Sequence, residues 1–489
     1  MKKRLVHPTA LALAIITLGF SLRLYRLDAQ SFWYDEAYSA SVATGTPAQI
    51  ISNRFSDVHP PLYYLALHFW QNVDAGDFTV RLLSAMLGTA GIAAVYALGR
   101  TLFDEYVGLA AAAITCLAPY TVFYGQEARM YSLLLLLSAL LLLSYNRMLH
   151  TRSRRWWLAY TACAVLSMYV QYISALLLLG LHLHFLVSKR RDRDAWALMA
   201  STDAIVLLVL APQLTILLGQ THLIARHQWT APATPGFARL LTAPYALTLS
   251  QFTSQRLVPL GFAAVLVLFI ITHLQLARHL VRDRDPGGQI SLMVCALWTP
   301  LLLAFAISQW QSIYRERALI VAVPALYLLL SWGVVKTRER YFNLSCLLVL
   351  GAVALGALNN WYFDAAFGKP SFRSVGEVLE AEACGAAPIF HTSDGALLIM
   401  MRYAPHCEHF LLEGDPAPQL PLETYQALGG RVTAKEELPG ETFWLVVALD
   451  NSIEFQRGMV DWIDERYRLA EEHDVEGVYL RRYDATMPR

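Results

Sequence analysis

Apolar runs of about 20 residues, the length that carries an α-helix across a bilayer, recur along this chain. They predict eleven spanning helices, at Leu5–Leu24, Val80–Gly99, Val107–Tyr124, Tyr131–Met148, Trp157–Tyr172, Ile173–Ser188, Ala195–Leu218, Leu257–Ala277, Ser291–Gln309, Ala318–Val335 and Tyr341–Asn359. A polar and aromatic loop, Tyr25–Asp77, separates the first two. Within it Pro61–Val73 (PLYYLALHFWQNV) has the spacing of an amphipathic helix lying on a membrane surface. Beyond Asn359 the pattern changes. ETFWLVVAL and GVYLRRY alternate with the period of a strand, and EFQRGMVDWIDERYRLAEE has the period of a helix. The expected architecture is an all-α polytopic membrane domain over residues 1–360, with loop 25–77 on its outer side, and a soluble α/β domain over residues 361–489.

The basic residues give an independent test. With the N-terminus inside, the cytoplasmic side receives Lys2, Lys3 and Arg4; Arg100; Arg147, Arg152, Arg154 and Arg155; Lys189, Arg190, Arg191 and Arg193; Arg278, Arg282 and Arg284; and Lys336, Arg338 and Arg340. The outer loops hold fewer, so charge and hydropathy agree. Met1–Phe20 opens like a signal peptide, but no small-residue cleavage site follows, and Arg23 and Arg26 come directly after it. It is read as an uncleaved first span. An odd number of spans then places Trp361–Arg489 outside. The expected setting is a bacterial inner membrane with the functional face in the periplasm.

Composition agrees with this class. Of 489 residues 56% are hydrophobic and 16% charged, where a soluble domain carries about a quarter. A net charge of +1 gives no reason to expect a nucleic-acid partner. Cys116, Cys163, Cys295 and Cys346 lie in apolar runs and read as small buried hydrophobes. Cys384 and Cys407 lie in the polar tail, where an oxidising compartment favours a disulfide over two free thiols. Walker, HExxH, GxSxG and Rossmann glycine patterns do not occur, so ATP-driven and metalloprotease readings have no support.

Candidate chemistry gathers outside. The stretch from Ser31 to Tyr64 sets Asp35, Glu36, Asp57 and His59 among aromatic rings. An acid shielded by rings has its charged form disfavoured and becomes a better base; the plainer alternative is an ion pair of these acids with Arg23 or Arg26. In HPPLYY, His59 and a rigid Pro-Pro turn precede Tyr63 and Tyr64, which either face a substrate or follow a turn that only sets a helix direction. In YGQEARMY, Glu127 and Arg129 next to Tyr131 either neutralise each other or face the cavity that holds Asp35. In SIYRERALIVAVPAL, Arg315 and Arg317 run against the positive-inside pattern. Their guanidinium forks suit a phosphate, or they pair with Glu316 and snorkel. Acids, a histidine, aromatics and arginines from three loops of one membrane face suit transfer of a group away from a phosphate embedded in lipid.

The segments RLYRLDAQSFWYDEAYSA, DVHPPLYYLALHFW, RLLSAMLGTAGIAAVYALGRTLF, YGQEARMYSLLLLLSAL, YRERALIVAVPALYLLL and GKPSFRSVGEVLE extend over essentially the first 380 residues. Together they resemble the GT-C superfamily of membrane glycosyltransferases, and within it the bacterial protein-O-mannosyltransferase-like and aminoarabinose-transferase-like group. The tail matches by position more than by motif. The resemblance implies inverting transfer of a sugar from a polyprenyl-phosphate donor to a lipid, glycan or protein acceptor on the periplasmic side. It places Asp35 as the general base and Glu36 as the adjoining acid of the same motif. Arg315 and Arg317 would stabilise the departing lipid phosphate, and His59, Tyr63, Tyr64, Glu127, Arg129 and Tyr131 would line the sugar or acceptor cavity. Some members use a divalent metal, for which Asp35 and Glu127 would be ligands. No third carboxylate is placed to complete a site, so neither a metal nor another cofactor is expected. Two rivals stand beside this reading. A transporter or flippase of lipid-linked sugar predicts ionisable residues at the membrane midplane, where Asp203 is the exception here. A non-catalytic binder of lipid-linked sugar predicts ligand binding without turnover.

Overall fold

In the computed structural model, residues 7–52, 58–188, 192–226, 234–283, 288–336, 340–414, 422–448 and 453–486 are described. The chain divides into two compact units. One comprises Met1–Leu27, Arg81–Thr215 and Pro232–Phe367, and the other Asp28–Val80, Ile216–Ala231 and Gly368–Arg489. The acidic loop, expected to go with the spans, groups with the tail.

The first unit is helical. Every expected apolar window falls on a helix: Pro8–Leu24, Asp77–Leu102, Glu105–Leu117 with Pro119–Gly125, Tyr131–Thr151, Arg154–Val170, Ser174–Ser188, Arg193–Arg226, Val258–Asp283, Gln289–Ile307, Val323–Lys336 behind a short 3₁₀ turn, and Arg340–Phe363. Seven of the described helices are long and apolar enough to cross a membrane, or eight if one bent pair is a single span. The difference from eleven lies in three short helices. Pro8–Leu24 has 17 residues and Ser174–Ser188 has 15, and the 17-residue Arg154–Val170 opens on Arg154, Arg155, Trp156 and Trp157.

The bent pair turns by 62° at Ala118. Ala118 has φ −62° and ψ 121°, because the residue before proline is excluded from the helical region and Pro119 has no N–H to continue the ladder. Arg23 enters beside this bend and is fully buried. Its guanidinium donates to Gly19 O at 2.9 Å, Thr115 O at 3.1 Å and Thr121 O at 3.2 Å. Two glycines make room for it, since a Cβ at Gly125 or Gly88 would stand 2.7 or 3.0 Å from its Nε. Gln126 extends the tie by donating to Arg23 O and Tyr25 O, and Trp361 Nε1 donates to Gln126 Oε1.

In the second unit the tail forms one six-stranded mixed sheet: β1 (Ile389–His391), β2 (His409–Leu412), β3 (Arg431–Thr433), β4 (Phe443–Ala448), β5 (Tyr467–Val475) and β6 (Val478–Thr486), in the order β3-β2-β1-β4-β6-β5. The first four run parallel, and the β5–β6 hairpin adds antiparallel to β4. Phe443, Leu445 and Val447 of β4 pack with Met459, Val460 and Ile463 of the helix Ile453–Asp464. The helix expected over EFQRGMVDWIDERYRLAEE thus stops at Asp464. Its second half is strand β5, because Glu476 and Gly477, both at positive φ, close a two-residue turn that lays β5 along β6. His391 and His409 stand side by side on β1 and β2, 2.9 Å apart between Nε2 and Nδ1. Burial, then the neighbouring ring, holds His391 well below its ordinary 6.5. Burial also lowers His409. Cys384 and Cys407 form a disulfide across a 4.4 Å Cα separation. The loop in this unit contributes three helices, Tyr34–Ala43, Pro47–Ile51 and Leu62–Gln71, the last on the stretch expected to be amphipathic.

Candidate active site

Asp35 and Glu36 occupy the first turn of the helix Tyr34–Ala43, where the helix dipole favours negative charge. Asp35 is 9% exposed and Glu36 is fully buried. Glu36 Oε2 takes a 2.7 Å ion pair from Lys369 Nζ, which also lies 5.8 Å from the centre of the Trp33 ring. The anticipated partners Arg23 and Arg26 are engaged elsewhere: Arg23 on main-chain carbonyls, and Arg26 over the Phe363 ring at 5.3 Å.

Aromatic rings continue from these acids. Tyr34 stacks with Tyr38, Tyr38 meets Tyr64 edge-on, and Tyr64 meets Tyr63, each pair at 6.2 Å. Tyr63 and Tyr64 are buried at the start of the helix Leu62–Gln71, and His59 is half-buried just ahead of it. The Tyr34 hydroxyl lies 3.4 Å from that of Tyr425, which donates to Asp394 Oδ2 at 2.5 Å. Asp57 lies outside the described residues.

The loop is stitched to the tail around these acids. Phe32 N donates to Tyr403 Oη at 2.7 Å and Lys369 N to Gln30 Oε1 at 3.0 Å. Arg373 N donates to Ser31 Oγ at 3.0 Å, and its guanidinium reaches Asp28 O and Asp77 Oδ2. Asp77 also binds Arg402 and the Tyr403 hydroxyl, and Arg402 lies over the Phe32 ring at 4.3 Å. These contacts explain why the loop groups with the tail.

The remaining candidates belong to the helical unit. Glu127, Arg129 and Tyr131 are all buried between the bent pair and the helix Tyr131–Thr151. Arg129 N donates to Glu127 O at 2.7 Å, Ser84 Oγ to Arg129 O at 3.2 Å, and Tyr131 meets Tyr124 edge-on at 4.7 Å. Arg315 and Arg317 are half-buried ahead of the 3₁₀ turn Ala318–Ala322. Burial, then the neighbouring Arg317, lowers the Arg315 pKa from its ordinary value. An arginine stays charged even so. Glu316 between them pairs with Arg239 and gives its carbonyl to the Tyr120 hydroxyl at 2.7 Å.

Sequence reasoning missed Lys369, Asp77, Arg373, Arg402 and Arg239. Lys369 and Arg373 stand in GKPSFR, a segment legible as a motif but not as the partner of acids 333 and 296 positions away. Arg239 sits in a long loop with no pattern to single it out.

A family model described as dolichyl-phosphate-mannose-protein mannosyltransferase matches residues 58–216. No curated protein sequence matches. The fold is similar to that of ArnT from Cupriavidus metallidurans bound to undecaprenyl phosphate, with a TM-score of 0.65, 13% identity, and 97% of this chain and 98% of that one covered. The apo form of the same protein gives 0.66 at 12% identity, again over 97% and 98%. The apo oligosaccharyltransferase of Archaeoglobus fulgidus gives 0.55 at 14% identity over 86% of this chain and 65% of that one. The chain has the GT-C glycosyltransferase fold.

Proposed function

We propose that this protein is an inverting glycosyltransferase that moves a sugar from a polyprenyl phosphate to an acceptor outside a bacterial inner membrane. One observation carries the reading: a near-buried carboxylate, Asp35, on the first turn of a helix, in a chain with the fold of enzymes of this class. Asp35 removes the proton of an acceptor hydroxyl or amine as that atom attacks the sugar C1. The bond from C1 to the phosphate oxygen breaks with inversion, and the polyprenyl phosphate leaves with the electron pair. The transition state has the oxocarbenium character of glycoside hydrolysis. Charge gathers on the leaving phosphate, and Arg315 and Arg317 are the groups assigned to neutralise it. His59, Tyr63, Tyr64, Glu127, Arg129 and Tyr131 are assigned to the sugar and the acceptor, and no step requires a metal.

The lipid chain is assigned to the helical unit, where an apolar cavity of about 160 Å³ is lined by Ala113, Leu117, Leu347 and Leu350 among others. In this reading the short helices also cross, giving eleven spans with the N-terminus in the cytoplasm, as the distribution of basic residues favours. The undecaprenyl phosphate named for one structural neighbour and the mannosyl donor named for the matching family both support a polyprenyl-type carrier.

A transport reading draws on one observation, the contact of His182 Nε2 with Asp203 Oδ2 at 2.9 Å within the apolar helices. The discriminating experiment offers undecaprenyl phosphate carrying radiolabelled mannose, glucose or aminoarabinose to a membrane extract, with wild type beside Asp35→Asn. Transfer by wild type and not by Asp35→Asn is expected. Donor binding without transfer by either protein would favour transport or simple binding.

A further inference from the structure

The segment GKPSFR, which follows the last apolar helix, has no part in the mechanism above, yet its lysine holds the neighbour of the proposed base. We infer that Lys369 is a positioning residue for sugar transfer: its ion pair with Glu36 sets the rotation of the helix Tyr34–Ala43 and so the direction of Asp35. The inference rests on the transfer reading.

The geometry is specific. Lys369 Nζ stands 2.7 Å from Glu36 Oε2, with the lysine side chain 10% exposed and the glutamate 0%. A carboxylate removed from water is stabilised by a countercharge close at hand, and the Lys369 ammonium supplies one to Glu36. Lysine is a compact charge on a flexible stem, but this one is fixed from its own backbone, because Lys369 N donates to Gln30 Oε1 at 3.0 Å. Arg373 and Tyr403 hold Ser31 and Phe32, so the chain entering the helix is anchored too.

Adjacent helical residues point about 100° apart. Glu36 and Asp35 therefore leave the helix in different directions, and fixing one fixes the other. The rest of the helix is held by its buried face and by the Tyr38–Tyr64 contact, so loss of this tether shifts its first turn, and displacement of a reacting group by about 1 Å is enough to cost a hundredfold in rate. The same tether makes the tail part of the catalytic unit, since Lys369 belongs to the chain that continues into the sheet.

The test compares Lys369→Met, Lys369→Gln and Lys369→Arg with wild type and Asp35→Asn in the full-length purified protein. The readout is kcat and KM for the undecaprenyl-phosphate sugar that supports transfer. Lys369→Met is expected to lower kcat by about a hundredfold with KM for the donor within threefold, and Lys369→Arg is expected to restore kcat to within fivefold of wild type. Lys369→Gln keeps a hydrogen-bond donor without the charge and is expected to fall between them. It decides the matter by the same criteria if Lys369→Met does not fold. Wild-type kcat in both Lys369→Met and Lys369→Gln, equal impairment of all three variants, or a raised KM with unchanged kcat would overturn the inference. An inactive Asp35→Asn beside a fully active Lys369→Met would sink this inference alone. Equal transfer by wild type and Asp35→Asn, or none by either, would overturn both this and the reading beneath it.

Discussion

Arg23 and Lys369 are both cations withdrawn from water, and the two units of the molecule treat them differently. In the helical unit Arg23 is surrounded by main-chain carbonyls, Gly19 O, Thr115 O and Thr121 O, in a space left by glycines. In the loop-and-tail unit Lys369 meets a full carboxylate, Glu36, beside a second one at Asp35. Carbonyl dipoles are fixed by the helices that carry them, so the Arg23 arrangement is architecture. A carboxylate pair can be retuned by charge and by small movements, so the Lys369 arrangement suits a working site. At Arg23 the membrane unit uses dipoles, and at Lys369 the acidic loop uses charges.

The sharpest way to break this contrast is to remove Arg23. Arg23→Leu removes the three guanidinium hydrogen bonds to Gly19 O, Thr115 O and Thr121 O, although Thr115 O keeps the Thr121 hydroxyl, and puts an apolar branch into a space shaped for a guanidinium. It is expected to destabilise the protein by about 3–5 kcal/mol, since each hydrogen bond to a charged group contributes about 1.5–3 kcal/mol. Thermal unfolding in detergent should register this as a large fall in melting temperature. A variant with wild-type stability and normal activity would mean that the dipole cage is incidental.

A smaller effect sharpens the comparison from the tail. Burial holds His391 and His409 below their ordinary 6.5 in the folded sheet, so unfolding takes up protons in acid. Their contribution is complete above pH 6.5 and is lost as the pH falls below that value, by roughly 1.4 kcal/mol per pH unit for each histidine that titrates. Urea unfolding of the full chain between pH 5 and pH 8 should show this slope, and His391→Gln should flatten it. An unchanged slope in that variant would place the acid sensitivity elsewhere.

The smallest expected effect concerns the donor. Arg315→Gln removes one of the two guanidinium groups assigned to the lipid phosphate, and a hydrogen bond to a charged group is worth about 1.5–3 kcal/mol. KM for the polyprenyl-phosphate sugar is expected to rise about tenfold, with the stability of the protein unchanged. An unaffected KM would remove Arg315 from the donor site.

Much of the helical unit was legible because its signal is local. A run such as Tyr131–Met148 declares a helix from its own side chains, whereas the window Val107–Tyr124, read as one span, bends at Ala118 ahead of Pro119. The strand β5 was misread as helix because its fate depends on β6 and on a Glu-Gly turn, whereas charged and apolar residues in RYRLAEE satisfy either period. The acids of the site stood out by residue type in a loop of low charge. Their supports did not, because Lys369 and Arg402 reach Glu36 and Asp77 across more than 300 positions, and Arg239 reaches Glu316 from an otherwise unmarked loop. Side-chain chemistry announced the candidates, and only the folded chain showed what holds them.

The central claim is that Asp35 is the base of a sugar transfer. The most direct measurement is single-turnover transfer of radiolabelled sugar from undecaprenyl phosphate by wild type and Asp35→Asn, with donor binding followed in the same preparations. General-base catalysis contributes about 10²–10⁴-fold, so the account predicts a rate loss of that size with donor affinity retained. Transfer by Asp35→Asn at the wild-type rate would contradict it.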